Sequence, residues 1–150
     1  MLGGVGHRLA PLGNSQQEVL RLVGIVLVSH GALADGLVAA AQMIMGPQAA
    51  MEAVGLTPAE NMDDFLEKLR RAVAAVEQGQ GALVLVDLFG GSPGNTAAYL
   101  AQAGVEVVTG MNLPMLLEVL GSRDETPPKE LADVAMAAAR EGVHRLAELF

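Results

Sequence analysis

Two short apolar runs constrain this chain more than any other feature, because each is uninterrupted and each ends on chemistry. Gly24-Ile-Val-Leu-Val28 leads into Ser29-His30-Gly31, and Ala82-Leu-Val-Leu-Val86 leads into Asp87. A continuous run rich in β-branched residues, without polar alternation, is expected of a strand buried on both faces of a parallel sheet. Helical patterns separate the runs. Leu37, Val38, Ala41, Ile44 and Met45 recur at helical spacing within 33–45, and Gly46-Pro47 closes that segment. Residues 50–56 form a weaker strand candidate, and Thr57 to Glu60 a turn. Asn61 fits a helix N-cap, with Asp63 and Asp64 favourable in the first turn. Phe65, Leu66, Leu69, Val73 and Val76 then share one face. Residues 94–103 predict a short helix, 105–109 a strand, and 113–120 a helix that tolerates Pro114 in its first turn. After a turn at 126–129, residues 131–149 predict a long helix, bent or broken near Gly142.

The resulting order, β-α-β-α-β-α-β-α-α, predicts an α/β fold: three α/β/α layers around a mostly parallel sheet. With the strand order 2-1-3-4, the first and third strands are neighbours whose chains leave in opposite directions. Ligands bind at such a switch point, outside the carboxyl ends of the strands. His30 and Asp87 then face each other across it. A carboxylate that accepts the Nδ1 hydrogen of an imidazole fixes the tautomer and leaves a lone pair on Nε2 for attack. The exit of the fourth strand brings Gly110-Met-Asn112 to the same rim. His7 has no such partner in sight, and His144, beside Arg145, reads as a solvated side chain.

The second run continues as VDLFGGSPGN, Val86 to Asn95, in which Gly90, Ser92 and Gly94 spell G-x-S-x-G. That pattern marks the nucleophile elbow of serine hydrolases, and Ser92, His30 and Asp87 supply a triad by type. Pro93 speaks against it. The oxyanion hole of such an enzyme uses the backbone N–H of the residue after the nucleophile, and proline has none. The chain order His, Asp, Ser also differs from that of the α/β-hydrolases. The same residues serve better as an anion seat. Gly90 and Gly91 let backbone approach a ligand, Pro93 suits a first helical turn, and the amides of Gly94, Asn95 and their neighbours point at an anion with the helix dipole behind them. The hydroxyl of Ser92 adds a donor. A nucleophilic ring nitrogen beside a seat for a dianion fits a phosphoryl group carried on His30.

Other chemistries lack their residues. No Walker A pattern occurs, the loop carries no lysine, and Ser29-His30-Gly31 is not the glycine fingerprint of a dinucleotide site. Nothing in the spacing of histidines and carboxylates suggests a metal, and no cofactor is expected. Of the 150 residues, 3% are aromatic and the formal net charge is -8, which disfavours nucleic acid on grounds of both stacking and phosphate attraction. An acidic surface suits a basic protein partner as well as solubility. The absence of cysteine removes disulfides and thiolate ligands. The apolar runs are too short to span a bilayer. Residues 1–22, with Gly3, Gly4, Gly6, Pro11 and Gly13, read as a flexible extension rather than a signal peptide, which leaves one domain over 23–150 and a cytoplasmic location as the expectation.

From about Gly24 to Leu149 the chain resembles the mannose-type enzyme IIA domain of the bacterial phosphoenolpyruvate-dependent sugar phosphotransferase system. The blocks VSHGALADGL, VDLFGGSPGN, GMNLPMLLEVL and AREGVHRL carry the likeness, in order. The resemblance implies a phosphotransferase that accepts phosphoryl from the carrier HPr on His30 and passes it to an enzyme IIB for sugar uptake. It implies Asp87 as the orienting acid and Ser92 as a phosphoryl contact. It also implies a homodimer with an exchanged C-terminal segment containing a strand, and peripheral association with the membrane subunits IIC and IID. Because the sequence stops at Phe150, a IIB domain on a separate chain is expected. The phosphocarrier subunit of dihydroxyacetone kinase, whose first strand also ends in Ser-His, is the nearer alternative. A regulatory phosphoryl acceptor without transport is another.

Overall fold

The two apolar runs form the centre of the sheet. In the computed structural model, which describes residues 22–150, the strands are β1 (Gly24–His30), β2 (Met51–Leu56), β3 (Ala82–Val86) and β4 (Glu106–Thr109). They lie in the order β2-β1-β3-β4, and every pairing is parallel. Topology and strand order are those expected from the sequence. Apart from Leu22, the expected N-terminal extension, His7 included, lies outside the described residues.

The pleat sorts the side chains of the central strands into two cores. Ile25, Leu27, Leu83 and Leu85 face a layer made of α1 (Leu33–Met45), α4 (Leu113–Ser122) and α5 (Pro128–Glu141). Val26, Val28, Val84 and Val86 face α2 (Met62–Val76) and α3 (Gly91–Gln102). Successive residues of a strand point to opposite faces, so an uninterrupted apolar run is what a doubly covered strand needs. The bulkier Leu and Ile side chains meet the layer of three helices, and the valines meet Phe65, Leu69 and Ala97 in the layer of two. Removing each such side chain from water is worth about 1.5–3 kcal/mol, which makes the sheet a firm base for its own carboxyl edge.

Asparagine sets two helix starts. The Asp64 N–H donates to Asn61 Oδ1 at 2.8 Å, as the capping pattern predicts. At α4 the Met115 N–H donates to Asn112 Oδ1 at 2.9 Å, while Asn112 Nδ2 donates to the Ala139 carbonyl at 3.1 Å and ties α4 to α5. Asn112 therefore holds helices together, and both ends of its amide are engaged in doing so at the rim.

Two helix limits differ from expectation. α3 begins at Gly91 rather than at residue 94. The last helix begins at Pro128 rather than at residue 131 and breaks where the sequence expects, ending at Glu141, with only a short 3-10 turn, Leu146–Glu148, after it. A side chain at Gly142 would collide with the ring of Pro114, so glycine there lets the start of α4 lie close against the end of α5. Beyond it Val143, Leu146, Leu149 and Phe150 keep an apolar spacing but are all exposed.

Arg123, at the end of α4, is buried at the amino edge of the sheet, opposite His30. Its guanidinium donates to the carbonyls of Val23 (3.4 Å), Ala50 (3.0 Å) and Ala49 (2.6 Å) and to Gln48 Oε1 (3.1 Å). Burial pulls its pKa down against the opposing pull of Asp124. Planar and rich in donors, the guanidinium closes the loop that leads into β2.

Candidate active site

β1 outruns β3. Their ladder ends at Val28 and Val86, where the Asp87 N–H donates to the Val28 carbonyl at 3.0 Å. β3 then turns away toward α3, whereas β1 continues beside β2 until His30 pairs with Leu56. The backbone N–H of His30 has lost its neighbour on the β3 side and donates instead to Asp87 Oδ2 at 2.9 Å. The same oxygen lies 2.8 Å from His30 Nδ1. The other oxygen, Oδ1, accepts the Leu88 N–H at 2.9 Å. The sequence expectation that His30 and Asp87 meet across the switch point is thus realised, and one carboxylate oxygen holds both the backbone and the ring of the histidine.

The Asp87 side chain is 6% exposed and that of His30 52%. Burial pushes the Asp87 carboxyl up. The hydrogen bonds from the His30 amide and ring, the charge of that ring and the Leu88 amide outweigh it, and hold the carboxyl below the ordinary aspartate range. An ionised carboxylate can only accept, so the proton of a neutral His30 belongs on Nδ1 and the lone pair on Nε2.

The start of α3 lies against that free nitrogen. Gly90 and Gly91 have φ of 82° and 71°, in the left-handed region that favours glycine. A Cβ on Gly91 would stand 3.3 Å from His30 Cε1 and 3.6 Å from Nε2. Because the helix begins at Gly91, the N–H groups from Asn95 onward belong to its own ladder. Those of Gly90, Gly91 and Ser92 remain outside it, and Pro93 has none. Gly90, Gly91 and Ser92 thus present first-turn amides on the side of His30. Gly94 instead packs near the Leu88 carbonyl, and a Cβ there would come within 3.1 Å of that oxygen. Ser92, exposed in the first turn directly after Gly91, lines a groove with Asn95, Met62, Thr96 and Tyr99. No hydrogen bond joins Ser92 to His30 among the described residues, whereas the imidazole is already held by Asp87.

Leu33, at the start of α1, and Leu88 and Phe89, just after Asp87, are exposed. His144 is exposed beyond α5. Ser29, which sequence reasoning leaves without a role, is fully buried next to His30. Its sequence signal is a polar residue ending an otherwise apolar strand. Among the described residues no helix is long and apolar enough to cross a membrane.

Fold and site together define a doubly wound α/β protein whose switch point carries a half-exposed imidazole, oriented by a carboxylate and flanked by a helix start. The family model described as PTS system fructose IIA component, EIIA-man, matches residues 24–136, and the chain belongs to that family. It is 37% identical over 127 residues to the PTS system mannose-specific EIIAB component of Escherichia coli K12, a match covering 83% of this chain and 39% of that protein. The chain thus spans about two fifths of the length of that relative. It is 34% identical over 128 residues to the PTS system sorbose-specific EIIA component of Lacticaseibacillus casei, covering 83% of this chain and 91% of the relative. Among solved structures, phosphotransferase system component EIIA from Streptococcus agalactiae superimposes with a TM-score of 0.78 at 27% identity, covering 85% of this chain and 99% of that one.

Proposed function

We propose that this protein is a phosphocarrier of the sugar phosphotransferase system, taking a phosphoryl group from phospho-HPr on His30 and handing it to an enzyme IIB. The observation that carries the reading is the double grip of Asp87 Oδ2 on His30, which aims Nε2 outward with its lone pair free. Nε2 attacks phosphorus in line. The new N–P bond forms as the N–P bond to the HPr imidazole breaks, and that ring leaves with the bonding electrons. The proton stays on Nδ1, and the Asp87 carboxylate that accepts its hydrogen bond balances the positive charge that develops on the ring. The N–H groups of Gly90, Gly91 and Ser92, the Ser92 hydroxyl and the dipole of α3 face the phosphoryl oxygens. The reaction runs on positioning and electrostatics, with no cofactor.

The apolar Leu33, Leu88 and Phe89 around a half-exposed ring suit docking of protein partners, because a donor ring must itself reach Nε2. The same reading implies a cytoplasmic protein that meets membrane subunits IIC and IID through IIB. It also implies a homodimer. The exposed apolar residues after α5 and the edge position of β4 support an exchanged C-terminal strand in that dimer.

The test is direct. Incubation with phosphoenolpyruvate, enzyme I and HPr should yield one acid-labile phosphoryl group on His30. Phosphorylation of His30→Ala at the wild-type rate would overturn the assignment, and labelling of Ser92 by a fluorophosphonate with HPr-independent ester turnover would favour a hydrolase instead.

A further inference from the structure

His30 is the last residue of β1, and the chain turns abruptly after it. Gly31 has φ of 53°, and its N–H donates to the Leu56 carbonyl of β2 at 2.8 Å. Its own carbonyl lies over Gly55, where any Cβ would collide with it. The turn therefore sits in space that β2 leaves free by carrying glycine opposite Ser29.

A single hydroxyl closes the turn. Ser29 Oγ donates to the Gly31 carbonyl at 3.3 Å and accepts the Ala34 N–H at 2.9 Å. The latter amide is in the first turn of α1, whose N-cap residue, Ala32, has no side chain able to accept it. Ser29 is fully buried, so water cannot stand in for the hydroxyl once it is removed. The two residues it binds through bracket the turn on the far side of His30, while Asp87 holds His30 from the β3 side.

We propose that Ser29 is a positioning residue for His30: its hydroxyl, working over the vacancy at Gly55, fixes the turn so that the His30 amide and Nδ1 both meet one oxygen of Asp87. The inference rests on the phosphocarrier reading for its rate but not for its geometry. Without the hydroxyl, the Gly31 carbonyl and Ala34 N–H lose their partner, the turn is released, and the ring gains freedom about its bond to Asp87.

The experiment compares wild type with Ser29→Ala in two readouts. In the unphosphorylated protein, the Nδ1 proton of His30 bonded to Asp87 gives a downfield proton resonance. It should be sharp in wild type and broadened or lost in the variant. In rapid-quench transfer from phospho-HPr, kcat should fall about tenfold to a hundredfold, the scale of a small misplacement of a reacting group, with little change in KM. A variant that is merely less stable, with the wild-type resonance and wild-type kcat, would show that Ser29 only caps α1 and would overturn the proposal. Should Ser29→Ala not fold, Ser29→Cys, similar in shape but a weak hydrogen-bonding group, carries the same comparison. If wild type accepts no phosphoryl group at all, the phosphocarrier reading fails, while the resonance still decides the role of Ser29.

Discussion

Replacing Gly91 by alanine puts one methyl group where the reaction needs room. The new Cβ would stand 3.3 Å from His30 Cε1 and 3.6 Å from Nε2. The first distance is inside the usual carbon–carbon separation of about 3.5–4.0 Å, so the ring or the helix start must give way by a few tenths of an ångström. The second matters more, because an attacking atom and its target approach to about 3–3.5 Å before bond formation. A methyl group beside Nε2 competes for the volume that the phosphoryl oxygens would enter in the proposed transfer. Displacement of the reacting groups by about 1 Å costs on the order of a hundredfold in rate, so a shift of a few tenths of an ångström should cost on the order of tenfold, roughly 1.4 kcal/mol in the barrier. The substitution also has a backbone cost of about 1–2 kcal/mol, since Gly91 has φ of 71°. Gly104→Ala separates the two effects. Its φ is 95°, yet a Cβ there meets nothing within 4 Å, and it lies between α3 and β4, at the amino edge of the sheet. Both variants should lose comparable stability in urea titrations. Only Gly91→Ala should lose transfer from phospho-HPr in rapid-quench assays. Equal transfer rates in the two variants, each measured well below its unfolding midpoint, would refute the steric reasoning.

Asp87→Asn should slow transfer by about a hundredfold or more, because a neutral amide no longer dictates the tautomer or balances the ring charge. Circular dichroism should show an intact fold. The same residue predicts a pH effect: the folded-state carboxyl lies below its ordinary value, so its contribution to stability is complete above about pH 4 and is lost as pH falls through the folded-state pKa. The gap in urea midpoint between wild type and Asp87→Asn should therefore narrow on acidification from pH 7 to 3, and a gap that widens would contradict the assignment. Arg123→Met should destabilise the fold by about 3 kcal/mol through carbonyls left unpaired in a buried site. Its transfer rate should stay at the wild-type value, since Arg123 occupies the opposite edge of the sheet.

Much of this architecture is legible because the central strands carry a pattern with one reading. Ile25 to Val28 and Leu83 to Val86 have no polar alternation, which requires cover on both faces, and the polar residues that end them mark the edge where the candidate site sits. The start of α3 is harder to read, because a Gly-Gly pair has little helix propensity and looks like loop. The helix nonetheless starts there, on residues whose positive φ turns the chain out of β3. The apolar period from Leu131 to Leu149 is real, but its last members do not face the core of the single chain. Gly142, the C-cap of α5, marks the break, and it also leaves room for Pro114 at the start of α4, a neighbour no local pattern contains. Arg123 is invisible in the sequence for a related reason. A cation near a helix end is ordinarily solvated, and its acceptors lie 73 to 100 residues away in sequence. Ser29 belongs to the same class, since the meaning of its hydroxyl depends on a glycine in the neighbouring strand.

The grip of Asp87 on His30 spans 57 residues of chain, and it forms only where β1 and β3 lie in register. No local segment can assemble it. Closing a loop of that length carries an entropic cost that is recovered only once the central strands dock. The Nδ1 proton resonance of His30 is therefore a clock for folding. In a refolding time course it should appear with the protection of the β1 and β3 amides and not before, so a chain still on its way to the native state carries the histidine but not the carboxylate grip that orients its ring.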